Sequence, residues 1–80
     1  MNMRAYLLIE SDSGKTNDVM DGLRQLPGVT QVDAVTGPYD VVAILSASDS
    51  NAIGKLVLND IQGIPGVRHT LTCLVIGSGA

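Results

Sequence analysis

Tryptophan and phenylalanine are absent from this 80-residue sequence, which holds only two tyrosines, one cysteine and one histidine. Each shortage removes a class of function. With Cys73 alone, no disulfide can form within the chain. With His69 alone and no Cys/His cluster, the ligand spacing of a metal site is missing. An enzyme pocket needs a polar or aromatic constellation inside an apolar cleft, and these residues can hardly build one. No catalytic residue, metal or cofactor is expected.

Positive charge is also scarce. Arg4, Lys15, Arg24, Lys55 and Arg68 stand singly among eight acidic residues, for a net charge of -3. Nucleic-acid binding depends on clustered Lys and Arg that neutralise phosphates, so direct DNA contact by this chain is not expected. No apolar run approaches the roughly 20 residues of a membrane span. The run after Met1-Asn2-Met3-Arg4 is shorter than the apolar core of a signal peptide. The expected location is cytoplasmic, and an unpaired cysteine suits a reducing compartment. A domain this small buries a modest fraction of its surface. With disulfides and metals set aside, association between subunits is the expected source of further stability.

What the sequence does contain is an internal echo. "LPGV" at Leu26–Val29 returns as "IPGV" at Ile64–Val67. Each copy follows a helical pattern and precedes a strand pattern, and proline with glycine stops a helix and turns the chain. In the first half, Ala5–Glu10 reads as a strand and "SDSGK" as a loop, with Ser13 as N-cap of a helix over about Gly14–Leu26. Val19, Leu23 and Leu26 share one helix face, and Val29–Thr36 is a second strand. In the second half, Val41–Ser46 is a strand, capped at Ser48, Asp49 or Ser50 into a helix over Asn51–Gln62. That helix buries Ile53, Leu56, Val57 and Ile61 and leads to a last strand, Val67–Ile76. Gly77–Ala80 is expected to fray, and Met1, Met3 and Met20 suggest only packing.

The order is β-α-β-β-α-β, an α+β ferredoxin-like fold: a four-stranded antiparallel sheet with two helices on one face. One domain is expected over residues 1–80, its core from about Ala5 to Ile76. A sheet covered on one face should alternate apolar and polar residues. This one does not. Ala5, Leu7 and Ile9 oppose Tyr6 and Leu8, Val41, Ala43 and Leu45 oppose Val42 and Ile44, and Leu71, Cys73 and Val75 oppose Leu74 and Ile76. Both faces are apolar, and the simplest cover for the helix-free face is a second copy, giving a homodimer through stacked sheets.

Within this topology, "VTGPYDVVAIL" (Val35–Leu45) resembles the turn between the second and third strands of the RAM domain, the effector-binding half of the Lrp/AsnC feast-or-famine regulators. That family shows a Gly-x-Tyr/Phe-Asp turn entering an apolar strand. Pro65-Gly66-Val67 before the last strand and the threonines of Thr70-Leu71-Thr72 fit the same pattern. The resemblance spans Ala5–Ile76. It implies dimers that assemble into octamer-like rings, with amino acids or similar small metabolites bound between dimers near the turn and the last strand. It also implies a departure: with a strand already opening at Ala5, there is no room for the family's helix-turn-helix domain. The expectation is a stand-alone module that senses amino acids, assembles, and regulates transcription or metabolism through partners, full-length Lrp/AsnC regulators among them.

The residues carry two readings each. Gly37 and Pro38 make a turn, and Asp40 can bond nearby backbone amides. The functional reading sets Asp40 against a ligand ammonium, the amides around Gly37 against its carboxylate, and Tyr39 as a wall. Thr70 and Thr72, alternating onto one face with Arg68 and Leu74, are good strand formers; the resemblance makes them hydroxyls lining the effector pocket. Cys73 is expected as a small buried residue and His69 at a core edge or interface. "SDSGK" lacks the spacing of a phosphate loop. Two other functions stay open: a small dimeric ferredoxin-like enzyme, and a purely structural assembly partner. The related ACT domain shares the element order, and the "GPYD" turn favours the RAM domain over it.

Overall fold

The computed structural model describes residues 2–77; Met1 and the expected fraying at Ser78–Ala80 lie outside the described residues. Strand β1 (Met3–Ser11), helix α1 (Thr16–Arg24), strands β2 (Val29–Ala34) and β3 (Val41–Ala47), helix α2 (Ser50–Lys55) with a π-helical continuation (Leu56–Ile61), and strand β4 (Val67–Leu74) follow in order. The strands form one antiparallel sheet in the order β2-β3-β1-β4. This is the ferredoxin-like arrangement read from the sequence.

Alternation decides which side chains the helices cover. Ala5, Leu7 and Ile9 of β1 and Val41, Ala43 and Leu45 of β3 are fully buried. They meet Val19 and Leu23 of α1 and Ile53 and Ile61 of the second helix in one core. Leu26 and Leu56, expected in that core, are partly buried and pack against it. Helix α1 lies over β2 and β3, and α2 over β3 and β1. Edge strand β4 is mostly exposed, with only Val67 and Thr70 half-buried. Cys73, expected to be buried, sits on the helix-free face of this edge strand and is exposed.

Directly opposed residues in an antiparallel pair point to the same face. On the helix-free face Tyr6 therefore joins Ile44 and Cys73, and Leu8 joins Val42 and Leu71. Tyr6 and Leu71 remain 43% and 44% exposed. On the helix side, Ala5, Leu7 and Ile9 stand opposite Leu74, Thr72 and Thr70. The register shifts between Glu10 and Ser11, which face His69 and Val67, so Arg68 has no opposite number on β1. Its guanidinium reaches Glu10 at 3.5 Å instead of sharing the threonine face.

The helix ends differ from expectation in instructive ways. Ser13 does not cap α1. A tight turn closed by Lys15 N–H donating to the Asp12 carbonyl at 3.0 Å uses up that segment, and the helix starts at Thr16 without a side-chain cap. Helix α2 is capped by Asp49, whose carboxylate accepts from Ala52 N–H at 2.8 Å. Its continuation widens into a π turn, ending with Gln62 N–H donating to the Val57 carbonyl at 2.9 Å. Among the described residues no helix is long and apolar enough to cross a membrane.

Candidate functional site

The β2–β3 turn is organised around Asp40. Its backbone N–H donates to the Ile9 carbonyl, and its own carbonyl accepts from Val35 N–H, both at 2.9 Å. Its carboxylate Oδ2 accepts from Ser11 N–H at 2.8 Å and from the Ser11 hydroxyl at 3.3 Å. Ser11 Oγ in turn lies 2.8 Å from Thr16 Oγ1 at the start of α1. Asp40 thus joins the turn to the end of β1 and the first turn of α1. The two bonds from Ser11 satisfy Oδ2 of a half-buried carboxylate where β1 hands the chain to the helix. Gly37 adopts a φ of +137°, a region open to glycine, and Tyr39 beside Asp40 is half-buried.

Thr70 and Thr72 lie elsewhere. Val41, Ile9 and Thr70 occupy one row across β3, β1 and β4, so Thr70 is two strand spacings, about 10 Å, from the start of β3. The two threonines face a groove of about 420 Å³ between β4 and the second helix. Its polar lining is Gln62, Thr70, Thr72 and Ser50. Its apolar lining is Ile53, Gly54, Val57, Leu58 and Leu74. Gln62 Nε2 donates to Thr70 Oγ1 at 3.2 Å, tying the end of the helix to the strand. Gln62 and Thr70 also border a smaller cavity of about 310 Å³ whose other walls are Val67, Arg68 and His69.

The structure thus gathers the five sequence candidates into two clusters. Gly37, Tyr39 and Asp40 form one, Thr70 and Thr72 the other, and a single chain does not close them around one volume. Reading the sequence missed Ser11 as the partner of Asp40, and missed Gln62, Gly54 and Leu58 around the threonines. Gly54 carried a signal: a glycine inside an amphipathic helix calls for a reason. Ser11 carried none, because its pairing joins residues far apart in the chain. Among the described residues no group of three or more His, Cys, Asp or Glu side chains could hold a metal ion.

The profile of the Lrp/AsnC ligand binding domain matches residues 4–78. The chain belongs to this family. An uncharacterised HTH-type transcriptional regulator of Pyrococcus horikoshii is 35% identical over 71 residues, 85% of this chain and 47% of the regulator. A homocitrate synthase of Sulfurisphaera tokodaii is 33% identical over 76 residues, 94% of this chain and 16% of the enzyme. The chain therefore spans about half the length of the regulator and a small part of the synthase. Among solved structures, a Thermus thermophilus protein superposes with a TM-score of 0.92 at 29% identity, covering 98% of both chains. A Neisseria meningitidis transcriptional regulator, solved in complex with L-Met, shares the fold with a TM-score of 0.89 at 22% identity over 98% of this chain and 52% of its own. The Lrp/AsnC domain thus occurs in company with quite different polypeptides. Its family is one of regulatory ligand binding.

Proposed function

We propose that this chain is an amino-acid-sensing and self-assembling module of the Lrp/AsnC type, which regulates transcription or metabolism through partner proteins and neither contacts DNA nor catalyses a reaction itself. The observation that carries the reading is the groove beneath Gln62, Thr70 and Thr72. It is concave, mixes hydroxyl and amide groups with apolar walls, and has no ionisable group among its lining residues. Such a lining suits recognition of a small molecule better than turnover of one. The neisserial regulator complexed with L-Met makes amino acids the first ligand class to consider.

Separation of the two candidate clusters is itself informative. The turn around Asp40 and the threonines of β4 would meet one ligand if the turn of one copy approached the groove of another. Gly37 amides and Tyr39 would then close over a molecule resting on Thr70 and Thr72, so the site would be completed by assembly. Stacked sheets supply the basic dimer in this reading. Tyr6, Leu8, Val42, Ile44, Leu71 and Cys73 form the apolar patch to be covered, and ring-like assembly of such dimers, an octamer or similar, would bring turns to grooves. Full-length Lrp/AsnC regulators are the fitting partners for co-assembly, because they carry the same domain.

A thermal-shift screen against the common amino acids, with light scattering on the same samples, tests the proposal. A ligand that binds only the folded state at 100 times its dissociation constant stabilises by about 2.7 kcal/mol. A selective shift with a change or tightening of the assembly is expected. A flat screen with an intact oligomer would favour the structural assembly partner instead.

A further inference from the structure

Gly54 stands inside α2, and nothing in the fold asks for a glycine there. Its φ is not positive, and a Cβ placed on it meets no atom within 4 Å. Gly22 and Gly28 differ: a Cβ on them would come within 3.0 Å of Ile64 and 2.7 Å of Leu56. Glycine in a helix interior weakens the helix relative to alanine. What Gly54 contributes in return is open space, and that space belongs to the groove.

The groove's chemistry is as specific as its shape. Ile53 and Val57 are buried on the core side of Gly54, while Leu58 and Leu74 remain 67% and 44% exposed at the rims. A charged group placed among these side chains would lose water and gain no counter-charge. Its polar side chains, Ser50, Thr70, Thr72 and Gln62, are all uncharged. The groove thus offers apolar walls and neutral hydrogen-bonding groups, with no charge of either sign.

Resting on the amino-acid-sensing reading above, we propose that Gly54 determines specificity: it opens the groove to the neutral, apolar side chain of an amino acid, whose polar end lies toward Gln62 and Thr70. Amino acids with charged side chains are excluded by the uncharged lining.

The test is calorimetric titration of the wild-type protein and of Gly54→Leu with L-leucine, L-methionine, L-lysine and L-glutamate, with circular dichroism and light scattering in parallel. The wild type is expected to bind the two apolar amino acids at least ten-fold more tightly than the two charged ones. Gly54→Leu is expected to lose at least ten-fold in apolar affinity with its helix content and oligomer size unchanged. Should Gly54→Leu fail to fold, Leu58→Lys at the exposed rim gives the same test, with apolar affinity falling by a similar factor. Tightest binding of L-lysine or L-glutamate would overturn the proposal, as would undiminished binding by the folded variants. A changed oligomer with binding intact would assign Gly54 to a contact between copies and also overturn it. If none of the 20 common amino acids shifts the wild-type melting temperature, the sensing reading itself falls and the specificity proposal with it, a pattern distinct from the others.

Discussion

Asp40 Oδ2 accepts the Ser11 backbone N–H at 2.8 Å and the Ser11 hydroxyl at 3.3 Å, which fastens the β2–β3 turn to the end of β1. The carboxylate of the Gly-Pro-Tyr-Asp turn is therefore a structural clamp. Asp40→Ala leaves a Ser11 N–H without its partner in a largely buried setting, and should cost about 1–3 kcal/mol in urea denaturation. Asp40→Asn keeps an oxygen that can accept the same bond and should recover most of the loss. If Asn is as damaging as Ala, charge rather than the hydrogen bond holds the clamp. Where Asp40→Asn does recover the loss, that variant is the clean probe of a ligand role for this side chain.

Asp49 caps α2 through Ala52 N–H at 2.8 Å. Removing a capping oxygen costs about 1 kcal/mol. Asp49→Ala should lower the denaturation midpoint by that amount, and Asp49→Ser should restore it. Equal stabilities for all three would mean that packing of Ile53 and Ile61 alone sets the helix start.

Two glycines should respond oppositely to alanine. Gly54→Ala should stabilise by about 0.5–1 kcal/mol, since the helix gains and nothing is displaced. Gly66→Ala should destabilise by about 1–2 kcal/mol from its left-handed conformation alone, at φ +98°. It also sets a Cβ 2.7 Å from Lys15 Cβ. Thermal melts of the two variants beside the wild type decide the signs.

Tyr6 and Leu71 lie on the helix-free face and are 43% and 44% exposed. A charge on that face should interrupt stacking of two sheets without reaching the core. Leu71→Glu is expected to run as a smaller species in sedimentation analysis, with the circular dichroism spectrum of the wild type. An unchanged assembly would move the interface to another surface.

Thr70→Val and Thr72→Val remove hydroxyls while keeping shape and strand propensity. Both threonines line the groove, so the pair of changes should weaken amino-acid binding by ten-fold or more. Stability should move little, because neither side chain is fully buried. Thr70→Val additionally frees Gln62 Nε2 from its 3.2 Å bond. Unaltered titration curves would place the ligand elsewhere.

The two halves show how far the internal echo could be trusted. Both Pro-Gly copies do turn the chain, with Val29 and Val67 N–H donating to the Leu26 and Ile64 carbonyls at 3.0 and 3.2 Å. Yet the glycines serve different ends. Gly66 needs its positive φ, whereas Gly28 does not have one and instead makes room for Leu56. Likewise "NAIGKLVLNDIQ" reads as one continuous helix, and its second half opens into a π turn instead. Helical spacing marks the buried face, with Val57 and Ile61 in place, but does not distinguish α from π hydrogen bonding.

The element order, the Pro-Gly turns, the doubly apolar strands and the Gly-Pro-Tyr-Asp turn were all legible in the sequence, because each rests on local propensity or on the two-residue period of a strand. Tertiary structure alone decided the rest. Alternation says that Thr70, Thr72 and Leu74 share a face, but only the pairing with Ile9, Leu7 and Ala5 puts that face on the helix side. The place of Cys73 on the helix-free face of an edge strand exposes it, and the irregular register beside Ser11 leaves Arg68 to reach Glu10. Asp40 finds Ser11, and Gly54 and Thr72 come to line one groove, through contacts between elements distant in the chain. Such contacts depend on how whole elements pack, and no local pattern encodes them.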